Sequence, residues 1–137
     1  MRKALPLVAV LALAACGGSS GHGQGTVAAL QDKGISATRD RVAPPGILPP
    51  GATVYRVDRG ELQVFRFDSP ASAKQGMALV EPDGYTVTDK SGVKNIIDWV
   101  APPHWFRDGR EVVVYVGRSQ SVLDALRAVA GPQFAGA

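Results

Sequence analysis

The stretch EVVVYVG, residues 111–117, is the strongest strand signal in the chain. Residues 112–116 are all β-branched or aromatic, the types that fit a pleated surface. A half-buried strand alternates apolar with polar residues, and this run does not. It suits a central strand covered on both faces, or covered on one face with a small apolar cluster opposite.

Helix signals follow it. SVLDALRAVAG (121–131) has Ser121 and Asp124 at capping-box spacing, with Asp in place of the usual Glu. Val122, Leu126 and Val129 lie on one side, and Gly131-Pro132 stops the helix. Upstream, PPHWFRDGR (102–110) reads as a connection. NIIDWVA (95–101) alternates Ile97 and Trp99 on one face with Ile96, Asp98 and Val100 on the other. YTVT (85–88) reads as a short strand or part of a loop. SPASAKQGMALV (69–80) opens with Ser69 as cap and Pro70 in the first helical position. Its stripe is Ala73, Met77 and Val80, and EPDG ends it.

TVYRV (53–57) and LQVFRF (62–67) flank Asp58-Arg59-Gly60-Glu61, the pattern of a β-hairpin. APPGILPPGA (43–52) carries four prolines and two glycines and is a loop. ISATRDRV (35–42) reads as a polar edge strand. TVAALQDKG (26–34) reads as a short helix from Thr26 to Gly34, with Val27 and Leu30 one turn apart. Strands and helices do not alternate strictly. The expectation is an α+β fold: an antiparallel sheet of about four or five strands with helices on one face. ELQVFRF and EVVVYVG, each followed by a serine-headed helix, fit two strand-strand-helix units, and equally a chance match of two ordinary units.

With 137 residues, 45% apolar and 7% aromatic, the chain is one domain by length and is not disordered as a whole. The formal charge is +3, and Arg2 and Lys3 supply two of those charges. The rest are scattered singly or in mixed-sign groups, which excludes the clustered basic footprint of a nucleic-acid binder.

MRKALPLVAVLALAA (1–15) has a positive head, an apolar run and small residues at its end, the layout of a secretory signal. The run falls short of the ~20 residues that span a bilayer. Leu13-Ala14-Ala15-Cys16 resembles the lipobox of bacterial lipoproteins. That resemblance implies cleavage before Cys16, a diacylglyceryl group on its thiol and acylation of the new amine. Cys16 is the single cysteine, so an intramolecular disulfide is excluded. GGSSGHGQG (17–25) reads as a flexible tether, with His22 as solvent-exposed filler. The domain is then residues 26–137. Gly17 is not the aspartate that favours inner-membrane retention. The expected location is the outer membrane facing the periplasm in a diderm, or the outer face of the plasma membrane in a monoderm.

A wider resemblance covers residues 60–136. Gln63-Val64-Phe65, Asp83-Gly84, Trp99, PPHWF (102–106), VYVG (114–117) and GPQFAG (131–136) resemble a group of small bacterial lipoproteins. The chain departs from the group at Arg66, where an acid is expected, and at Trp105-Phe106 in place of Phe-Tyr. The group has no assigned activity, so the resemblance implies location and a shared domain and supplies no site.

The chemistry-bearing residues are few. The folded part has one histidine, His104, and no thiol, which cannot make a zinc site. No G-x-S-x-G elbow, phosphate loop or calcium loop occurs, and no cofactor is called for. DWVAPPHWF (98–106) gathers Trp99, His104, Trp105 and two prolines. It reads either as a rigid aromatic lip for a glycan or peptide, or as a stiff connection whose aromatics plug the sheet edge. The leading expectation is a non-enzymatic domain that binds an envelope protein or glycan. An inhibitor or protective factor acting through APPGILPPG is the alternative. A hydrolase is the third reading and would need a hydroxyl and a carboxylate beside His104.

Overall fold

The structure, a computed structural model, describes residues 25–137. Residues 1–15, read above as a secretory signal, and Cys16 and His22 lie outside the described residues. The elements in chain order are α1 (Gly25–Asp32), β1 (Thr38–Ala43), β2 (Ala52–Val57), β3 (Gly60–Arg66), α2 (Pro70–Ala78), β4 (Thr86–Thr88), β5 (Lys94–Ile96), β6 (Pro103–Asp108), β7 (Glu111–Gly117), α3 (Gln120–Ala130) and β8 (Ala135–Gly136). The fold is α+β. Six strands form an antiparallel sheet in the order β1-β2-β3-β7-β6-β8, and β4 with β5 forms a separate two-stranded sheet. Among the described residues no helix is long and apolar enough to cross a membrane.

Every residue of β7 is buried. Val112, Val114 and Val116 enter one apolar cluster, with Phe65, Ala73, Val87 and Trp105. Val113 and Tyr115 enter the other, with Leu30, Leu62, Phe106, Val122 and Leu126. The unbroken apolar run therefore demands a cover on each face. α1 and α3 cover one face. On the other lie α2, the proline loop through Leu48 and the β4–β5 hairpin through Val87. Helices thus lie on both faces, where one face was expected, because no residue of β7 is left to meet water.

The strand count rises for a second reason. The segment read as a connection, 102–110, contains β6, a strand next to the centre paired with β7 along its whole length. Pro103 opens β6, a position at which proline's missing N–H is tolerated. Its register sets Trp105 opposite Val114 and Asp108 opposite Glu111. Of NIIDWVA, Asn95 and Ile96 pair in β5, and YTVT supplies β4.

Caps and turns place the ends. Ser69 caps α2, its hydroxyl accepting from Ser72 N–H at 3.1 Å. α3 begins two residues earlier than Ser121 would set it, because Ser119 is the cap and accepts from Val122 N–H. The Ser119 hydroxyl also donates to Asp58 at 2.9 Å. Tyr115 joins the same knot: its hydroxyl donates to the Asp58 carbonyl (2.8 Å) and accepts from Ser119 N–H (3.0 Å). The hairpin turn at 58–59 is thereby tied to the start of α3.

α1 is held by a residue the sequence did not single out. Glu111 is buried, and its carboxylate accepts from Thr26 N–H (2.7 Å) and the Thr26 hydroxyl (2.9 Å). The first helix is fastened to the first residue of the central strand, 85 positions away. Replacing Glu111 by Ala should lower stability by about 2–3 kcal/mol, since the buried Thr26 N–H loses its acceptor and the hydroxyl keeps only its longer bond to Asp108 (3.4 Å). Glu111→Gln should lose less than half of that, and urea denaturation midpoints measure the difference.

Candidate functional site

β6 places His104 and Trp105 on opposite faces of the sheet. Trp105 is fully buried. Its ring stacks on Phe65 (centroids 6.1 Å apart), meets Trp99 edge-on (6.2 Å) and lies 6.4 Å from Phe134. Both indole N–H groups donate to one carbonyl, that of Gly84, at 3.1 Å from Trp99 and 3.0 Å from Trp105. Gly84 has φ +76°, and a Cβ there would lie 2.5 Å from Gly136 Cα, so only glycine brings that carbonyl within reach of both rings. Of the two readings of Trp99, His104 and Trp105, lip or stiff connection, the packing is that of the connection. Trp105 offers no face to a ligand, and Trp99 is only half-exposed.

His104 is buried against the Tyr115 ring, centroids 6.0 Å apart. Its Nε2 lies 3.0 Å from the Gly117 carbonyl oxygen, and its Nδ1 lies 3.1 Å from the Ala137 main-chain oxygen and 3.3 Å from Gln133 Oε1. No hydroxyl or side-chain carboxylate is among these partners, so the pairing a hydrolase would need at His104 is not formed. The ring holds residues 133–137 against β6 and β7. Among the described residues no three His, Cys, Asp or Glu side chains converge as metal ligands.

The neighbouring loop is set by Asp83. Its carboxylate accepts from Tyr85 N–H (2.9 Å), Thr86 N–H (3.1 Å) and the Thr86 hydroxyl (3.2 Å). These bonds, the Tyr85 one foremost, hold its pKa below the usual carboxylate range. Asp89 is lowered likewise, first by the Ser91 hydroxyl.

Open features lie elsewhere, between the proline loop and α2. A groove of about 510 Å³ runs past Pro49, Pro50, Phe67 and Leu79, with Arg66 and Lys90 at its rim. A second recess of about 520 Å³, walled by residues 45–49, shares Pro49, Leu79 and Lys90 with it. Each volume is that of a typical ligand cleft. Gly76 positions its wall: a Cβ there would lie 2.3 Å from Phe67 Cζ, so the ring can rest on α2 only over glycine. Leu48, 2% exposed, pins the proline loop at its middle and fixes the other wall. The sequence reading missed Arg66, Phe67, Gly76 and Lys90 as a group. The signal available was Gly76, a glycine inside a helix, which marks a close approach.

No family model, no curated protein and no solved structure matches the chain.

Trp105→Ala should cost about 3–5 kcal/mol, as a core aromatic does, whereas Trp105→Phe should cost about 1–2 from the lost bond to Gly84. Gly76→Ala should destabilise by about 1–3 kcal/mol through overpacking against Phe67. Thermal melts check all three. For Asp83 and Asp89 the folded pKa lies below the unfolded value. Their stabilisation is present above about pH 4 and lost as pH falls through the folded values. Stability should therefore drop less between pH 5 and pH 2 in the Asp83→Asn/Asp89→Asn variant than in the parent, read from urea midpoints at each pH.

Proposed function

We propose that the chain is a lipoprotein of the bacterial cell envelope, held to a membrane by acyl groups on Cys16, whose domain binds an envelope component without catalysing a reaction. The anchor rests on the lipobox resemblance of Leu13-Ala14-Ala15-Cys16 and on the glycine-rich tether after it. One observation carries the binding reading. The buried titratable groups His104, Glu111 and Tyr115 are all engaged in bonds that fasten elements together, while the groove between the proline loop and α2 stands open. Its lining is mixed: Pro49, Pro50, Phe67 and Leu79 are apolar, Ser72 and Gln75 are polar, and the cations Arg66 and Lys90 are countered by Asp68 in the groove and Asp89 in the adjoining recess. Such a lining suits a segment of an envelope protein with an apolar side and a polar side. It suits a glycan less, because sugars favour an exposed aromatic face and the faces of Trp105 are enclosed. Nucleic acid finds no basic field here.

A second reading, an inhibitor or protective factor, draws on the proline loop. Buried Leu48 pins it while residues 44–46 stay exposed, so its crest is preformed and would lose little entropy on docking.

Intact-mass analysis of material from the native host should give a mature chain that begins at Cys16 with added acyl mass. A chain beginning with Met1, or a Cys16 thiol that reacts with maleimide, would end the anchor reading. A photo-cross-linker at Leu79 should capture one discrete envelope protein in native cells, and one at Arg127, on α3, should not. Equal capture of bulk neighbours at both positions would remove the groove as a binding site. Inhibition of a lysozyme or protease, abolished by trimming residues 44–46, would favour the second reading.

A further inference from the structure

Both ends of the six-stranded sheet are closed to other strands. β1 is rich in charge and carries a bulge between Arg39 and Arg41, and β8 is two residues long. The β4–β5 sheet is different. β5 pairs with β4 alone, and Ile96 on it is 82% exposed, with Val100 just beyond at 97%.

The ladder fixes how this edge presents its main chain. Ile97 N–H donates to the Tyr85 carbonyl (2.8 Å) and Asp89 N–H to the Val93 carbonyl (2.9 Å), so odd-numbered residues around β5 bond inward. On β4, Thr88 N–H donates to Leu79 and the Thr86 carbonyl accepts from Glu81 N–H, so its even-numbered residues point away from β5. Antiparallel pairs alternate between bonded and non-bonded. Lys94 and Ile96, which stand opposite Thr88 and Thr86, therefore turn their N–H and C=O groups outward, and Asp98 lies exposed two residues past the strand's end. The side chains of Lys94, Ile96 and Asp98 share the solvent face, because Ile97 and Trp99 turn onto the core.

We propose that β5 pairs with β5 of a second copy of this chain, antiparallel about a two-fold axis at Ile96. The surface is self-complementary in that register, as a two-fold interface must be. Ile96 meets Ile96 of the partner subunit, and Lys94 meets Asp98 of the partner subunit on both sides of the axis. Main-chain parity requires even residues to face even residues, and the neighbouring registers of that parity put Lys94 or Asp98 opposite Ile96. Lys94 also lies 3.5 Å from Glu81 of its own chain, so it bridges two carboxylates in the pair. The two β4–β5 hairpins become one four-stranded sheet, and the exposed Ile96 side chains cover each other. The interface is small and the association correspondingly weak. It does not depend on the lipid anchor, although an anchor would raise the local concentration of copies.

Sedimentation equilibrium of the full chain in density-matched detergent tests this, up to about 1 mM, the effective concentration that short tethers impose. A reversible monomer–dimer equilibrium is expected. Ile96→Lys should raise the dimer Kd at least about tenfold. Lys94→Asp and Asp98→Lys should each raise it about fivefold, and the double swap should recover most of that loss, since the two residues meet across the axis. Ile96→Cys should form a disulfide-linked dimer on mild oxidation beyond the parent's background, while Val42→Cys, on β1, should not. A monomer at every concentration, a dimer indifferent to Ile96→Lys, or a double swap without recovery would overturn the proposal. An edge that takes up a strand of a different protein would give the first of these results.

Discussion

The fold is organised by one demand: five consecutive apolar side chains in β7 must leave water on both sides of the sheet. Each face needs its own cover, and the chain supplies them from different places. α1 and α3 come from the two ends of the domain and meet over Val113 and Tyr115. α2, the proline loop and the β4–β5 hairpin come from its middle and close over Val112, Val114 and Val116. The polar groups inside are few and each has a partner, for among the described residues no buried side-chain nitrogen or oxygen is left unbonded.

Local signals were legible where local physics decides. The β2–β3 hairpin, the Ser69-Pro70 helix start, the polar edge strand β1 and the stop at Gly34 follow from turn, cap and propensity rules. β6 was hidden because Pro102-Pro103 reads as a loop, and only the register with β7 shows that Pro103 opens a strand. Ser121 lost the cap of α3 to Ser119 because Asp58 and Tyr115, distant in sequence, hold Ser119 in place. The apolar run of β7 already held the two-faced sheet as one of its readings, but the placement of α2 could not be chosen from α2 alone.

The aromatic segment illustrates the harder case. Trp99, His104 and Trp105 are the residue types of a binding lip, and composition alone cannot separate that from a joint. The decision rests on Gly84, whose positive φ lets one carbonyl accept from two indoles. The groove was hidden for the same kind of reason. Its walls are drawn from the proline loop, the end of β3, α2 and the turn at Lys90, and no spacing rule connects them. The proline loop was visible as a loop, but Gly76 went unread inside α2, and nothing local showed that Phe67 rests on it.

The fastening of Thr26 by Glu111 has a mechanical consequence. A pull along the N-terminal segment enters the domain at α1 and is received by the strand in the interior of the sheet, which is bonded to a neighbour on each side along its whole length. Load applied there is shared by two ladders at once, so the domain resists being peeled open strand by strand from an edge.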